Sequence, residues 1–417
     1  MKPETEDKVT ELLEPALGSA RPVILVFSDF YLPGYKSGGG MRTLVNTVDR
    51  FSDHYDFRIV TRDHDGKTDK TSYPGIRYNE WTQIGSGLVR YLAKDQIRLA
   101  EVRSLIGEVE PDVIYLNSYF STLTIFVLAI RKFGGLGKIP VIIAPQGELS
   151  DGCLGKKRTK KSAFLRFASS LHLYRDIIWR TTSNIESKDV ERAKGRGGKL
   201  FVAADLPSKR LFPDYSQAKK PVKRKGSVRL VYLSRIHPIK NLIFLLEVLG
   251  DLNGDVVLDI YGPIDAPSEY VSACKELIDA LPANIKVSLR GGIDHDKVIG
   301  TMIDHHFFVL PSQSENYGHV FLEAMSAGCP LVISDRTPWQ DLVNKGVGWD
   351  LSLEDRNPWL SALKRCIEMD QQSFTEMSAS ARRYAENRVA DDATEKANRD
   401  VFEYALSLNP EFDTRSA

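Results

Sequence analysis

The chain has 417 residues, of which 42% are hydrophobic and 27% are charged, and its net charge is +1. A chain of this length is expected to form two or three domains, and a charge this close to zero argues against a general nucleic-acid-binding protein. No run approaches the roughly 20 apolar residues of a membrane-spanning helix, and the polar, acidic start of the chain does not resemble a signal peptide. The four scattered cysteines lack metal-ligand spacing and predict reduced thiols in a cytoplasmic protein.

The first half of the chain alternates buried apolar runs with helical patterns, which predicts a doubly wound α/β domain. We place an N-terminal extension at residues 1–21 and this first domain at 22–205. The predicted strands are 23–27, 57–60, 113–116, 141–144 and 200–203, with a short strand region at 73–81, and the predicted helices include 41–51, 87–107, 122–133 and 184–194.

A glycine-rich loop separates the first strand from the first helix. Residues 38–40 are three consecutive glycines, and a strand, a glycine-rich loop and a helix together present backbone N–H groups to phosphate. The spacing fits neither a Walker loop nor a dinucleotide-binding Gly-x-Gly-x-x-Gly motif. The loop is therefore either a phosphate-binding element, in which Gly39 and Gly40 allow close approach, or a flexible surface loop.

Polar residues follow two later strands of the first domain. Asn117 comes directly after the strand at 113–116, and Gln146 and Glu148 lie in the loop after the strand at 141–144. Ligands of α/β proteins bind at the carboxyl ends of the strands. These three residues therefore form a second, weaker candidate surface.

The second half of the chain repeats the α/β pattern after a proline-rich and basic linker at residues 206–227. We place the second doubly wound domain at 228–388 and a C-terminal helix with a tail at 389–417. Two such domains in succession predict a cleft between the carboxyl ends of their strands.

Two cations follow the first strand of the second domain. Arg235 and Lys240 lie between the strand at 229–233 and the next helix. Cations at a helix entry are unfavourable with the helix dipole, but they are reasonable if a diphosphate lies between them, because arginine binds two oxygens at once and lysine acts as a point charge. The alternative is that both are solvated surface cations.

Two glutamates follow the strand at 307–310. Glu315 lies in the loop and Glu323 lies on the helix predicted for 318–327. The helix start offers the N–H groups of Asn316, Tyr317 and Gly318 to an anion or a hydroxyl, and the carboxylate of Glu323 suits the vicinal hydroxyls of a ribose. In isolation, both glutamates could equally be ordinary solvated charges.

The pattern from Glu315 to Val332, Glu-x-Tyr-Gly-x4-Glu-Ala-x3-Gly-x-Pro-x-Val, resembles the signature of the retaining nucleotide-sugar glycosyltransferases of family 4. The first half is also similar to a bacterial subgroup of polysaccharide-assembly enzymes; the matching segments are 56–63, 115–118, 144–150 and 160–161. The resemblance implies the GT-B fold, with two Rossmann-like domains facing a cleft and C-terminal helices that cross back to the first domain. It also implies a nucleotide-diphosphate sugar as donor, retention of configuration, and neither metal nor cofactor.

The resemblance also implies a role for each candidate residue. Arg235 and Lys240 would hold the diphosphate and stabilise the leaving group, and Glu315 would face the donor sugar. The remaining donor-binding residues would be Gly39, Gly40, Gly262, Ile293, Asn316, Tyr317, Gly318 and Glu323. The acceptor side would include Asn117, Gln146 and Glu148. This chain departs from the family at three of these positions: Asn117 replaces a frequent histidine, Gln146 replaces the subgroup's arginine, and Gly40 replaces its proline.

These observations predict a cytoplasmic glycosyltransferase that moves a hexose-type sugar to a hydroxyl of a glycan, which we expect to be lipid-linked and part of a bacterial surface polysaccharide. The basic segment 156–166 is either a solvated helix face or a contact with the anionic inner face of the membrane. The alternatives are a nucleotide-sugar epimerase or phosphorylase-like enzyme of the same fold, and a non-enzymatic two-domain sugar-binding protein.

Overall fold

The computed structural model describes residues 21–34, 38–66, 71–150, 158–193, 198–209, 211–212 and 220–410, without the side chains of 158–163 and 193. Nearly all of the predicted N-terminal extension, part of the linker and the end of the tail lie outside the described residues. None of the described helices is long and apolar enough to cross a membrane.

The N-terminal sheet has eight strands in the order β3-β4-β2-β1-β5-β6-β7-β8, and all neighbouring pairs are parallel except β3 and β4. The strands at its centre are almost entirely buried on both faces, as expected for a sheet that is covered by helices. The strands are β1 Val23–Phe27, β2 Asp56–Arg62, β3 Thr82–Ile84, β4 Gly87–Leu92, β5 Val113–Leu116, β6 Val141–Ile143, β7 Ile178–Thr181 and β8 Leu200–Val202. The helices are α1 Gly39–Phe51, α2 Leu99–Val109, α3 Thr122–Lys132, α4 Arg158–Ser170 and α5 Asn184–Ala193.

One predicted helix of this domain is wrong. Residues 87–107 do not form a single helix, because 87–92 is strand β4, Lys94–Gln96 is a 3₁₀ turn and the α-helix begins only at residue 99. The segment is rich in Leu, Val and Tyr, and it pairs with β2 on one side and β3 on the other. The short strand expected at 73–81 lies instead at 82–84, where it forms a hairpin with β4.

The C-terminal sheet has six parallel strands in the order β11-β10-β9-β12-β13-β14. The strands are β9 Ser227–Leu233, β10 Asp255–Tyr261, β11 Ile285–Gly291, β12 Phe307–Leu310, β13 Leu331–Ser334 and β14 Gly348–Leu351. The helices are α6 Leu242–Gly250, α7 Ser268–Asp279, α8 Val298–Ile303, α9 His319–Ser326, α10 Asn357–Glu368, α11 Gln371–Val389 and α12 Asp392–Ser407. Two parallel-sheet domains of Rossmann type are thus present, as the sequence predicts.

The last helix, α12, packs against the N-terminal sheet. The buried ring of Phe402 lies 5.3 Å from the ring of Tyr55 and 5.8 Å from that of Tyr115. Asn398 donates a hydrogen bond to the carbonyl of Ala204 (2.8 Å) and accepts one from Arg180. The chain therefore returns from the second domain to the first, and this contact helps to hold the two sheet edges opposite one another.

Candidate functional site

Two helix N-termini meet in the cleft between the domains. Helix α1 follows Gly38 and helix α9 follows Gly318, and neither N-cap supplies a side-chain hydrogen bond. Thr43 Oγ1 lies 3.0 Å from His319 Nε2, which joins the second turn of α1 to the first residue of α9. Because the first N–H groups of a helix lack intrahelical partners and carry partial positive charge, this junction favours an anion.

Gly318 is fixed by both its backbone and its surroundings. Its φ is +84°, and a Cβ at this position would lie 2.4 Å from the ring of Phe321. No other residue fits there without moving that ring, which explains the glycine of the motif. The predicted helix start at residue 318 is confirmed to within one residue, since α9 begins at His319.

The glycine-rich loop approaches the second domain. Gly39 and Gly40 are the first two residues of α1, and a Cβ at Gly38 would lie 3.9 Å from Arg235 Nε. The expected phosphate-binding loop and the expected phosphate-binding cation therefore lie on facing sides of one cleft.

Arg235 follows β9 and forms an ion pair with Asp265, and each side chain is 39% exposed. The strand exit that carries Arg235 packs against Gly262, because a Cβ at Gly262 would lie 2.0 Å from the carbonyl oxygen of Ser234. The φ of Gly262 is +140°. The structure thus places Gly262 as support for the Arg235 loop, a role that the sequence alone does not show.

Lys240 ends a short 3₁₀ turn, Pro238–Lys240, and forms an ion pair with Glu315. Both side chains are only 12% exposed. The Glu315 loop is attached to that turn by the backbone bond from Gln313 N to Ile239 O (2.8 Å). An ammonium group has three N–H donors, so Lys240 can hold Glu315 and still donate to an anion in the cleft.

Glu323 lies on α9, one turn after His319, and its side chain is about 10% exposed. Burial raises its pKa above the ordinary value, and the positive charge of Arg42 opposes that rise. His295 Nδ1 lies 3.7 Å from the Glu323 carboxylate. Ile293, two residues before His295, is half-buried against the core of the second domain.

The loop before α9 contacts the first domain. Asn316 Oδ1 lies 3.0 Å from Thr182 Oγ1, at the end of β7. Tyr317 is buried, its ring lies 4.8 Å from that of His319, and its carbonyl accepts a hydrogen bond from the Trp339 indole. The side chain of Tyr317 therefore belongs to the packing of the domain, whereas Asn316 belongs to the cleft.

The three weaker candidates of the first domain separate into two groups. Gln146 donates to Asn117 Oδ1 (2.9 Å), and Asn117 donates to the carbonyl of Gly40 (3.1 Å), so both residues support the glycine-rich loop. Glu148 accepts hydrogen bonds from the hydroxyl of Ser118 and from two backbone N–H groups of the loop after β5. Its carboxylate stabilises that loop.

Sequence reasoning missed several residues of the cleft. Arg42 is half-buried in the first turn of α1, and the pKa of His319 is lowered to about 4, chiefly by burial. Asp205 and Arg180 form a buried ion pair (2.8 Å) next to His319. Nothing in their spacing groups these residues, because they lie on different domains.

Residues 215–388 match the family model described as glycosyl transferases group 1. A search of the curated proteins found no significant match.

Solved structures of low sequence identity are similar over nearly the whole chain. HepE of Anabaena, in complex with UDP and glucose, is 18% identical, with a TM-score of 0.67, and the likeness covers 93% of this chain and 100% of that chain. Sucrose-phosphate synthase of Thermosynechococcus elongatus is 15% identical, with a TM-score of 0.72 and the same coverage. WaaG, a glycosyltransferase involved in lipopolysaccharide biosynthesis, is 12% identical, with a TM-score of 0.60, and the likeness covers 90% of this chain and 98% of that chain. The likeness confirms the predicted GT-B fold.

Proposed function

We propose that this protein transfers a sugar from a nucleotide-diphosphate sugar to a hydroxyl of a glycan acceptor. The observation that carries the proposal is the convergence of two uncapped helix N-termini with Arg235 and Lys240 around one cleft. Each of these features favours a bound diphosphate. The family match over the C-terminal domain and the structure of HepE with UDP and glucose support the same class of donor.

In this proposal, the bond from the anomeric carbon to the diphosphate oxygen breaks, a new bond forms from that carbon to the acceptor hydroxyl oxygen, and negative charge develops on the leaving diphosphate. Arg235, Lys240 and the N–H groups at the starts of α1 and α9 stabilise that charge, because these donors are already in place before the charge develops. Glu315, held by Lys240, accepts hydrogen bonds from hydroxyls of the donor sugar. The leaving diphosphate takes the proton of the acceptor hydroxyl, so no separate protein base is needed.

The finer parts of the proposal rest on the resemblance to family 4. They are retention of the anomeric configuration, a hexose as the transferred sugar, and catalysis without a metal or another cofactor. Transfer in a chelator, with the anomeric configuration of the product read by NMR, tests retention and metal independence together. Loss of activity in the chelator that is restored by a divalent metal would contradict metal-free catalysis.

We place the acceptor at the first domain and expect a lipid-linked glycan of a bacterial surface polysaccharide. WaaG, which is similar in fold, is involved in lipopolysaccharide biosynthesis. The buried thiols of Cys274, Cys329 and Cys366 fit a cytoplasmic location. Peripheral contact with the inner membrane through residues 156–166 is part of the proposal. Residues 156–157 of that segment lie outside the described residues, and beyond them Arg166 and Phe167 of α4 are exposed.

The decisive experiment is a panel of UDP-, GDP- and ADP-sugars tested for thermal stabilisation, because a ligand that binds the native state raises the melting temperature. Stabilisation by one nucleotide sugar, followed by release of its nucleoside diphosphate only when a glycan acceptor is added, is the expected result. Conversion of the donor without an acceptor would favour an epimerase, and binding without any turnover would favour a sugar-binding protein. No response to any member of the panel would overturn the proposal.

A further inference from the structure

The first domain has another group of polar side chains at the carboxyl ends of its central strands. The chain runs from β1 to β2 on one side and later continues at β5 on the other side, so the strand order reverses between β1 and β5. Such a switch point in an open α/β sheet leaves a crevice in which ligands bind. Asp29, two residues after β1, accepts a hydrogen bond from the hydroxyl of Ser121 (2.8 Å), the N-cap of α3 after β5. This bond spans the switch point.

Asp29 also forms an ion pair with Arg62, the last residue of β2. Arg62 Nε lies 3.1 Å from Asp29 Oδ1, the same oxygen that Ser121 binds. Among the described residues, Asp29 Oδ2 and the two terminal nitrogens of Arg62 have no hydrogen-bond partner. The two side chains are 25% and 19% exposed, so solvent reaches both. The pair is therefore held in place by the protein and still has donors and an acceptor to offer to a ligand.

This ion pair lies beside the glycine-rich loop. Asn117 donates hydrogen bonds to the carbonyl of Gly40 (3.1 Å) and to the hydroxyl of Ser28 (3.4 Å), the residue before Asp29. Because the loop at Gly40 is proposed to bind the diphosphate of the donor, a ligand on Asp29 would lie next to the donor. In a transferase, the molecule that must lie next to the donor is the acceptor.

The charges around the pair select the class of ligand. A carboxylate accepts hydrogen bonds and a guanidinium donates them, and a sugar ring carries hydroxyls that do both. Residues 28–34 and 62–66 carry three carboxylates, one arginine and one histidine. Two of these carboxylates, Asp63 and Asp65, are buried. This excess of negative charge disfavours a ligand that is itself an anion, such as a uronate.

We propose that Asp29 and Arg62 bind an uncharged sugar ring, the terminal residue of the acceptor glycan, at the switch point of the first domain. This inference rests on the proposed function and gives the acceptor a site and a chemical class. One ring hydroxyl donates to Asp29 Oδ2, and a neighbouring ring hydroxyl accepts from a terminal nitrogen of Arg62. Ser121 does not touch the sugar and acts as a positioning residue, because it fixes the other oxygen of Asp29.

The test is a titration by saturation-transfer NMR with the methyl glycosides of glucose, galactose and mannose, each compared with the matching uronide. The nucleoside diphosphate that stabilises the wild-type protein, chosen among UDP, GDP and ADP, is present throughout. We expect a neutral glycoside to bind about tenfold more tightly than its uronide. Asp29→Asn keeps the shape of the side chain and removes its charge. It should weaken the neutral glycoside by about tenfold and bring the uronide to within about threefold of it.

Asp56→Asn is the matched control. It breaks an ion pair of the same kind, between Arg58 Nε and Asp56 Oδ2 (3.2 Å), at the opposite end of β2, and should leave both affinities unchanged. Unchanged affinities in Asp29→Asn, or an equal loss for glycoside and uronide, would overturn the site and leave the proposed function standing. If Asp29→Asn does not fold, Arg62→Lys replaces it. This variant keeps the charge without the planar fork and should weaken the neutral glycoside by about threefold or more, and no loss would overturn the site.

Two results with the wild-type protein separate this inference from the function on which it rests. If a nucleoside diphosphate binds and no neutral glycoside does, or if a uronide binds as tightly as its glycoside, the inference alone is overturned. If none of the three nucleoside diphosphates binds, the proposed function is overturned, and this inference with it.

Discussion

Replacing Lys240 by methionine should lower both stability and activity, for two separable reasons. The Lys240–Glu315 pair is only 12% exposed on either side. Removing one member of a buried ion pair leaves the other charge uncompensated and costs about 3–5 kcal/mol. We take about 3 kcal/mol, the low end of that range, because the pair lies in a cleft that water can enter. For a domain of this size that corresponds to a fall in melting temperature of about 6–12 °C.

The double variant Lys240→Met with Glu315→Gln separates the two effects. Glutamine has nearly the same shape as glutamate and no charge, so the double variant should recover most of the lost melting temperature. Its activity should remain low, because the diphosphate still lacks the ammonium group and the donor sugar has also lost the Glu315 carboxylate. One charge-assisted hydrogen bond of about 1.5–3 kcal/mol corresponds to about 10- to 150-fold in kcat/KM.

Thermal unfolding without ligand measures the first effect, and release of nucleoside diphosphate from the donor identified by the panel measures the second. Lys396→Met, which breaks an exposed pair with Asp400 on α12, is the control and should leave both readings nearly unchanged. Equal melting temperatures for the single and double variants would refute the reasoning on stability. Full turnover in Lys240→Met would refute the role of the ammonium group.

Three further predictions use substitutions in or beside the cleft. Glu323→Gln should stabilise the free protein at neutral pH, because the raised pKa of Glu323 makes its ionised form unfavourable in the fold. The difference in stability between this variant and the wild type should shrink as the pH falls through that raised pKa toward 4.5. A stability difference that stays constant with pH would contradict the prediction. His319→Gln should lose less stability than the wild type as the pH falls from 6.5 toward about 4, because the unfolded chain takes up a proton in that window and the folded histidine does not; parallel denaturation curves would contradict this. Gly262→Ala should lower the melting temperature strongly and weaken nucleotide binding, because its Cβ would meet the Ser234 carbonyl at 2.0 Å. The same substitution at Gly107, which lies in α2 with open space around it, should stabilise the protein by about 0.5–1 kcal/mol.

The second domain could be predicted from the sequence because its chemistry is local. Each of its candidate loops directly follows a parallel strand and precedes a helix, so a single stretch of chain specifies the strand, the glycine and the charged residue together. The GT-B fold and the start of α9 are confirmed on this basis. The sequence predicts a helix at strand β4 because Leu88, Tyr91 and Leu92 also fit helical spacing, whereas pairing with β2, 30 residues earlier in the chain, makes the segment a strand.

The contacts between domains could not be predicted in the same way. Thr43 and His319 are 276 residues apart, and no pattern within either helix indicates that they meet. Arg42 lies two residues after three consecutive glycines. The glycine pattern predicts a loop that approaches phosphate, but it does not indicate a role for the arginine that follows. Such contacts depend on the relative placement of the two sheets, to which the packing of α12 contributes. Sequence periodicity does not indicate that placement.

The charges around the cleft predict a site that is more selective than a patch of cations. Arg235 is paired with Asp265 and Lys240 with Glu315. These two cations are therefore balanced by two carboxylates, and further positive character comes from the N–H groups of α1 and α9, which are fixed in direction. A free anion gains little from a balanced set of charges, because each cation already has a carboxylate nearby. In the proposed complex, a nucleotide diphosphate gains more, because its oxygens can accept hydrogen bonds from the N–H groups at both helix starts at once.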